Sequence, residues 1–322
     1  MMEPLKHKPK NHVEWNESYY FVFYDLKQRL GGMTRLGFKP NKKEGMTFLF
    51  LFLPDGSAAG YQSVEAISDY GHQGLRVGKV VHEPLPRGVW KYCFEGNMVA
   101  ANNPEDLPRT RGNPSLASGM FTARMSLSFT PISETYEYSK HMTPESKMLG
   151  EKSGDEHWEQ IGIVNGEIRI GEETHRVEQS MGQRDHTHGV REWTSIDYWL
   201  YYVIWFSREL AVNPAAIIMD DGRVSAGGFL FEKGRNIPIE RIRVIEQEFR
   251  DEVLPVGSKL ELVDGLSRRH MLEARAGPVI PVPFTDSEGN VSILAQSFGS
   301  FKLDGVEGGY GSFETLRRKP RK

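Results

Sequence analysis

Apolar and polar residues alternate along much of the chain, and the clearest run spans residues 121–130. Its apolar members, each followed by a polar or charged residue, are Phe121, Ala123, Met125, Leu127 and Phe129. A period of two predicts a β-strand with one buried and one exposed face. Residues 166–170 repeat the pattern over a shorter stretch. The alternation therefore predicts a chain built mainly from strands.

Turn residues punctuate these runs, and helix signals are few. The chain has 33 glycines and 18 prolines, several of them in turn-like stretches at residues 54–56, 220–222 and 287–290. Such clusters terminate strands. Residues 24–30 are a candidate for two turns of helix, whereas the apolar spacing within residues 242–253 fits either a helix or a strand. We expect an all-β fold with little helix.

Three pairs of similar segments occur in the same order in the two halves of the chain. The pairs are residues 14–21 with 192–199, residues 53–61 with 219–229, and residues 85–96 with 254–265. Repetition in one order predicts an internal duplication. The repeat also favours a strand for residues 242–253, because this segment then corresponds to residues 75–81.

The duplication predicts two tandem antiparallel β-barrels, because closure of a sheet removes its exposed edges. The boundary is expected near the polar, turn-rich residues 151–156. We therefore assign an N-terminal barrel to residues 1–165 and a C-terminal barrel to residues 166–322.

Composition narrows the class of partner. Lys and Arg total 40 against 43 Asp and Glu, for a net charge of −3, which argues against a nucleic-acid-binding protein. The one basic run, which a frayed terminus explains, consists of Arg317, Arg318, Lys319, Arg321 and Lys322. A single cysteine, Cys93, excludes an internal disulfide and cysteine-based zinc sites.

Hydropathy predicts neither a membrane span nor a secretory signal. The longest apolar run is residues 48–53, far below the roughly 18 residues of a spanning helix. The first residues of the chain are polar and contain no apolar signal core. We expect a cytoplasmic protein that binds a hydrophobic small molecule as substrate or ligand, and its oligomeric state is not readable from the sequence.

Residues 182–193 form the densest group of functional side chains. In an extended conformation Arg184, His186 and His188 share one face, and Asp185 points to the other. One interpretation is a buried structural network in which these groups pair with one another. The other is that Asp185, His186 and His188 are the few polar groups of a ligand cavity.

A metal site is a further alternative for this segment. His186, His188 and Glu192 form a His-x-His pattern followed by a carboxylate, which suits iron, manganese or zinc and is the core of the first cupin motif. The glycines of that motif are replaced by Ser180 and Trp199. We therefore expect no metal and no other cofactor, and keep a cupin-like enzyme as an alternative.

The segment after the cluster, residues 193–206, is apolar and aromatic on both faces of a predicted strand. A strand that is apolar on both faces is buried on both. Most of these residues are expected to belong to the core. One face is a candidate wall of a ligand cavity, and its aromatic members include Trp193, Tyr198 and Trp199.

The central segment resembles a known family. The residues that carry the resemblance are Gly182, Arg184, Asp185, His186, Gly189, Arg191 and Trp193. Their spacing is similar to the central motif of the hydroxyneurosporene synthase or carotenoid 1,2-hydratase-like proteins, in an uncharacterised bacterial branch. The resemblance implies two tandem lipocalin-like barrels and the addition of water to an isoprenoid double bond.

The resemblance also implies roles for individual residues. Asp185 would be the acid, kept protonated by burial, and His186 or His188 would orient it or activate the attacking water. The expected substrate-binding residues are Arg184, Arg191, Trp193, Tyr198, Trp199, Glu156 and His157. The three aromatic residues of this set would stabilise a carbocation, and the arginines would lower the pKa of Asp185 if they lay close to it.

Two functions of different class follow. The first is a cofactor-free hydratase, isomerase or cyclase that acts on a hydrophobic terpenoid, steroid or polyketide-like molecule in a barrel cavity at the domain junction. The second is a non-catalytic carrier of a hydrophobic ligand, in which the polar cluster has only a structural role.

Overall fold

A computed structural model describes residues 4–72, 74–149, 154–219 and 221–320. The chain divides into two compact units, the first made of the residues up to Thr135 together with Gly154–Arg191, the second of Tyr136–Ser153 together with the residues from Glu192 onward. The residues that lie outside the described ranges include the predicted turn residue Asp220, half of the predicted boundary stretch (residues 151–153), and Arg321 and Lys322 of the basic run.

The first unit is built from antiparallel strands joined by short turns and 3₁₀ helices. Its strands are β1 (Trp15–Asp25), β2 (Leu30–Lys39), β3 (Glu44–Phe52), β4 (Ala58–Ala66), β5 (Arg76–Val77), β6 (Val80–Pro84), β7 (Trp90–Ala101), β8 (Gly119–Pro131), β10 (Glu156–Ile170) and β11 (Glu173–Val190). Its 3₁₀ helices are Pro40–Lys42, Pro86–Gly88, Pro104–Arg111 and Pro114–Leu116. The strand predicted over residues 121–130 is confirmed as the central part of β8.

Eight strands of this unit form a closed ring of pairings. The order is β4-β3-β2-β1-β11-β10-β8-β7, and β4 also pairs with β7. The first strand of the ring therefore lies beside the last, and β11 pairs with both β1 and β10. Residues 166–191 belong to the first unit because β11 closes its ring. The second repeat predicted to begin at residue 166 stays a prediction from the sequence. In the structure, residues 166–191 lie at the end of the first unit.

A glycine makes the ladder between β10 and β11 bend. The register shifts between Val164 and Gly166, and Gly166 has a φ of +146°. A Cβ at this position would lie 2.1 Å from the carbonyl oxygen of Ser126 on β8. Only glycine fits such a close approach at that backbone conformation, so this position fixes the β-bulge.

The helix expected at residues 24–30 is wrong. This segment ends β1, turns and begins β2. The backbone N–H of Gln28 donates to the Asp25 carboxylate at 3.0 Å, and Arg29 has a φ of +52°. An aspartate that accepts from the backbone three residues later stabilises a turn, and this local bond outweighs the weak helical spacing.

The interior of the first unit is aromatic. Phe21 on β1 stacks on Tyr92 of β7 with ring centroids 3.7 Å apart, and Phe23 and Phe129 are fully buried beside them. The same face of β1 therefore supplies the core of this unit, and the side chains that share that face point inward.

The second unit contains one short helix and a closed barrel. Its elements are β9 (Tyr136–Glu137), a 3₁₀ helix (Tyr138–Lys140), α1 (Pro144–Leu149), β12 (Tyr198–Trp205), β13 (Leu210–Ile218), β14 (Val224–Glu232), β15 (Arg235–Arg250), β16 (Leu254–Asp264), β17 (Arg269–Thr285), β18 (Val291–Leu303) and β19 (Val306–Arg318). Strands β12 to β19 pair in sequence order and close into a barrel. The predicted all-β fold with little helix is confirmed.

The segment before this barrel packs on its outside. The Tyr138 hydroxyl donates to the Asn213 side chain at 2.9 Å. Farther along, the Ser225 hydroxyl donates to the backbone carbonyl of Ser146 at 2.6 Å, and the Ser146 hydroxyl accepts from the backbone N–H of Ala226 at 3.1 Å. These bonds attach α1 to β14 and explain why residues 136–149 belong to the second unit.

The three sequence matches fare differently in the structure. Residues 14–21 and 192–199 both lead into the first strand of an eight-strand order, and residues 85–96 and 254–265 both overlap its fifth strand. The middle match is wrong, because residues 53–61 join the third and fourth strands whereas residues 219–229 join the second and third. The ambiguous segment at residues 242–253 is strand up to Arg250, in β15.

Candidate functional site

The polar segment predicted as the site lies in β11, on the wall that closes the first unit. Its inward-facing residues pair with β1 as follows: Arg184 with Phe21, His186 with Tyr19, and His188 with Glu17. Directly paired residues share one face of the sheet, and Phe21 and Tyr19 belong to the aromatic core. Asp185 pairs with Tyr20 and points to the opposite face. The predicted separation of the segment into two faces is confirmed.

A buried carboxylate, Glu17, organises the inner face. It has no solvent exposure. Its Oε1 lies 2.6 Å from Nδ1 of His7 and 2.9 Å from Nε2 of His186. Its Oε2 accepts from the backbone N–H of His7 at 2.9 Å and from the hydroxyl of Tyr70. These four residues, with His188, are called the inner cluster below.

Aromatic rings surround the inner cluster. The ring-centroid distances are 4.4 Å for Tyr19 stacked on His186, 5.4 Å for Trp158 stacked on His7, 5.5 Å for Trp158 and His188, and 6.2 Å for Trp15 and His188. The inner cluster therefore places an acid–base network against several π faces, which attract positive charge.

His188 differs from its neighbours in its protonation. Burial, reinforced by the adjacent His7, lowers the pKa of His188 to about 4. The two imidazole centroids are 3.9 Å apart, so a second positive charge at this place is unfavourable. Its Nδ1 lies 3.9 Å from the carboxylate of Asp155. At neutral pH His188 is therefore a neutral imidazole that can accept a proton.

The segment that precedes β1 is held over the inner cluster. The Tyr19 hydroxyl donates to the backbone carbonyl of Leu5, and Nζ of Lys6 donates to the carbonyl of Tyr70 at 2.5 Å. The same ammonium lies 4.9 Å from the centre of the Tyr70 ring. Burial lowers the pKa of Lys6. Residues 5–7 thus contribute both a covering segment and one of the imidazoles.

Arg184 also faces inward. Its Nε donates to Oε1 of Gln160 at 2.9 Å, and its guanidinium lies 5.1 Å from the centre of the Trp90 ring. This side chain is almost fully buried. The predicted effect of Arg184 on the pKa of Asp185 requires a close approach, and the structure places the two side chains on opposite faces of β11.

Asp185 belongs to a second group, on the outward face. Its Oδ2 lies 3.3 Å from Nε2 of His157, and the same nitrogen lies 2.8 Å from Oε1 of Glu159. Gln183 donates to the other oxygen of Glu159 at 2.6 Å. Burial alone would lower the pKa of His157, but the two carboxylates raise it to about 10. The expectation that His186 or His188 orients Asp185 is wrong, because His157 makes that contact. These three ionisable residues are called the outer cluster below.

The remaining predicted residues of the first unit lie near the ends of strands. The Glu156 carboxylate accepts from the backbone N–H of the next residue, His157, at 3.1 Å. Arg191 follows β11 directly, and its backbone N–H donates to the carbonyl of Glu14 at 3.1 Å. Neither contact joins Glu156 or Arg191 to Asp185.

The three predicted aromatic residues lie in the second unit. Trp193 is in a turn and stacks on Phe284 at 4.3 Å, so the strand expected from residue 193 begins only at Tyr198. Trp199 donates through Nε1 to Glu314 at 3.2 Å, on the face of β12 opposite to Tyr198. The hydroxyl of Tyr198 accepts from the side chain of Gln247. The three residues therefore do not line one common wall.

Two groups of candidate metal ligands exist in the described part of the chain. One is His7, Glu17 and His186, and the other is His157, Glu159 and Asp185, each with its ligand atoms within 4.8 Å of one another. Nitrogen and oxygen donors of this kind fit iron, manganese or zinc. Neither group contains His188 or Glu192. The cupin-like set of His186, His188 and Glu192 is therefore not assembled.

Sequence reasoning missed the residues that complete both clusters, namely Glu17, His7 and Glu159. One signal was available for Glu17, which alternates with Trp15 and Tyr19 on one face of an aromatic strand. A lone acidic residue on such a face needs a partner when it is buried. The structure gives it three.

Among the described residues, no helix is both long and apolar enough to cross a lipid bilayer. A comparison with curated proteins finds no significant match.

Solved structures with the same fold exist. An ATTH protein from Nitrosomonas europaea superimposes with a TM-score of 0.61 at 14% identity, over 94% of this chain and 92% of that chain. Kievitone hydratase from Nectria haematococca superimposes with a TM-score of 0.55 at 9% identity, over 96% of this chain and 90% of that chain. CghA superimposes with a TM-score of 0.54 at 10% identity, over 95% of this chain and 88% of that chain.

Identities this low establish a shared fold and no more. The finer resemblance to the carotenoid 1,2-hydratase-like proteins stays a prediction. The profile of one family, described as "Domain of unknown function (DUF7064)", matches residues 3–319, almost the whole length. The chain therefore belongs to the DUF7064 family.

Proposed function

We propose that this chain is a cofactor-free enzyme of the hydratase, isomerase or cyclase type, acting on a hydrophobic terpenoid, steroid or polyketide-like molecule. The observation that carries the proposal is the inner cluster, in which the fully buried carboxylate of Glu17 bonds to His7, His186 and Tyr70 inside an aromatic barrel. Ionisable groups that bond to one another in an apolar site are typical of acid–base catalysis. A neighbour in fold is named a hydratase, which supports the same reaction class.

The proposed reaction adds water across an isoprenoid double bond. The hydrogen-bonded pair of Glu17 and His186 delivers a proton to one alkene carbon, and the positive charge develops on the other. Water attacks that carbon and forms the new C–O bond. The neutral imidazole of His188 takes the proton that the attacking water loses, so that its charge balances the proton delivered by the pair.

The surrounding rings stabilise the intermediate. A carbocation next to Tyr19, Trp158 and Trp15 faces the negative side of their π systems, worth about 2 kcal/mol per ring in a desolvated site. In an isomerase or a cyclase the same cation would lose a proton or close a ring, without attack by water. The aromatic wall therefore serves all three reaction types.

Asp185, His186 and His188 remain the proposed catalytic residues from the sequence, and the structure separates them into two locations. His186 and His188 belong to the inner cluster, whereas Asp185 belongs to the outer cluster with His157 and Glu159. We place the reaction at the inner cluster, because the aromatic wall lies there. Asp185 is the second candidate for the acid.

The test is water addition to chosen alkenes. Kievitone, a linear carotenoid and a polyketide-derived diene are incubated with the protein in heavy-oxygen water, and products carrying the label are identified by mass spectrometry. Glu17→Gln is expected to abolish labelled product, since it removes the shared proton and keeps the size of the side chain. Glu178→Gln is the matched control, because Glu178 is exposed on β11.

The outcomes separate the alternatives. Full turnover by Glu17→Gln contradicts the inner cluster as the catalytic site, and loss of product in Asp185→Asn alone moves the reaction to the outer cluster. Thermal unfolding of each variant distinguishes lost chemistry from lost fold. Tight binding of the alkenes by a wild-type protein that never converts them supports the carrier function.

A further inference from the structure

A cleft opens at one end of the second barrel. It has a volume of about 680 Å³, within the range of small-molecule sites. The beginning of β12, the ends of β13 and β19 and the distal part of β15 form it, together with Asn290 from the turn before β18. All these elements belong to one closed barrel, so the cleft is a property of the second unit alone.

One positive charge of this cleft has no acidic partner. The Arg317 guanidinium lies 4.2 Å from the centre of the Phe249 ring and 6.0 Å from that of Tyr198. Within the described part of the chain it forms no ion pair. The neighbouring Arg318, by contrast, is neutralised by Asp197. A guanidinium that stacks on a ring by its face keeps its N–H edge available to an anion.

One side of the cleft is suited to an uncharged body. Ile218, Met219 and Phe249 line it with apolar surface. Tyr198 and Gln247 form a hydrogen-bonded pair in the same lining. Burial raises the pKa of Tyr198, so that its phenol stays neutral and does not compete with an anion for Arg317. The lining thus combines the cation of Arg317 and the ion pair of Arg318 and Asp197 with one apolar patch.

We propose that the cleft binds a hydrophobic monocarboxylate, with the carboxylate on the N–H edge of Arg317 and the apolar body against Ile218 and Met219. A bidentate pair of guanidinium and carboxylate gives direction as well as affinity. The exposed Lys319 at the rim adds long-range attraction for an anion. This binding site lies outside the inner cluster and does not depend on the proposed reaction.

The experiment compares a fluorescent polyene fatty acid, cis-parinaric acid, with its uncharged methyl ester. The wild-type protein is expected to bind the acid at least about tenfold more tightly than the ester, because only the acid pairs with Arg317. Arg317→Gln should bring the two affinities together by weakening the acid alone. Arg243→Gln is the matched control, since it removes one positive charge from an exposed position of β15 outside the cleft.

Several results would overturn the proposal. Equal affinities of acid and ester in the wild-type protein do so without any variant. Unchanged binding of the acid by Arg317→Gln does so as well. Arg317→Lys keeps the charge, so it should retain most of the preference for the acid over the ester if the fold is intact. Glu17→Gln is expected to bind the acid like the wild type, so that failure of this site and failure of the proposed catalysis are distinguishable.

Discussion

His82 is a histidine held neutral in the core of the first unit. It lies on β6 with 2% of its surface exposed. Its Nε2 is 3.5 Å from the hydroxyl of Thr34, and its Nδ1 has no hydrogen-bond partner among the described residues. Its ring lies nearly perpendicular to that of Tyr92, with the centroids 4.8 Å apart. Burial lowers the pKa of His82 to about 3.

Because His82 is buried in its neutral form, the stability of the first unit depends on pH. In the unfolded chain a histidine has a pKa near 6.5, so below that pH the unfolded state binds a proton that the folded state does not. The free energy of unfolding therefore falls as the pH decreases from about 6.5 towards 3. The slope approaches about 1.4 kcal/mol per pH unit well below pH 6.5, and the loss is roughly 2 kcal/mol between pH 6.5 and pH 4.5.

Urea unfolding of the wild type and of His82→Gln, at several values between about pH 7 and pH 5, measures this term. The variant lacks the titrating group, so over this range its stability should fall less steeply by about 1 kcal/mol per pH unit on average. His72→Gln, at a side chain that is 90% exposed, should follow the wild type. If the slopes of the wild type and His82→Gln agree within about 0.3 kcal/mol per pH unit, the imidazole is not buried in its neutral form.

Two further predictions concern a glycine and a histidine. Gly228→Ala should lower the free energy of unfolding by at least about 2 kcal/mol, as measured by chemical denaturation. The φ of Gly228 is +102°, and a Cβ there would lie 1.7 Å from a carbonyl oxygen of β13. Gly119→Ala is the control and should be nearly neutral, because the space around Gly119 is open. Equal stability of the two variants would contradict the close approach. Burial lowers the pKa of His157, but Glu159 and Asp185 outweigh this effect and raise it to about 10, so its stabilising effect is complete below about pH 6.5 and is lost as the pH rises to 10. Thermal unfolding from pH 7 to pH 9 should therefore decline more steeply for the wild type than for His157→Gln, and parallel curves would refute the ion pairs.

Strands were predictable from the sequence where one of their faces is exposed to solvent. In β8 the residues Ala123, Met125, Leu127 and Phe129 are buried, and the polar residues between them are exposed or half-buried. This alternation reflects the position of the strand in the barrel, because each strand of a barrel has an inner and an outer face. It is weaker in β12, where seven of eight residues are buried and the pattern carries no period.

The spacing of apolar residues alone does not distinguish a short helix from a turn. Residues 24–30 have apolar residues at helical intervals, yet the backbone there reverses direction between β1 and β2. The decisive interaction is one hydrogen bond from Gln28 to Asp25. The same residue types that interrupt a helix pattern stabilise a turn, so aspartate next to a short helical pattern favours the turn.

The faces of the central motif were predictable, but its partners were not. Alternation alone places His186 and His188 opposite to Asp185, and the register with β1 confirms it. The contact between His157 and Asp185 depends on the pairing of β10 with β11, which a bulge at Gly166 shifts by one residue. The motif specifies neither the neighbouring strand nor this shift.

The position of the boundary decided whether Glu17 could be found. In an eight-stranded meander that closes, the first strand pairs with the last, so a carboxylate near the start of β1 meets the end of β11 although 169 residues separate Glu17 from His186. A boundary placed after residue 165 assigns β11 to the second repeat and leaves Glu17 without its histidine. The closing rule would have joined them had the ring of the first unit been counted to eight strands, ending at β11. The contact between Glu17 and His186 therefore follows from the closure of the first unit by β11, which the central motif alone does not specify.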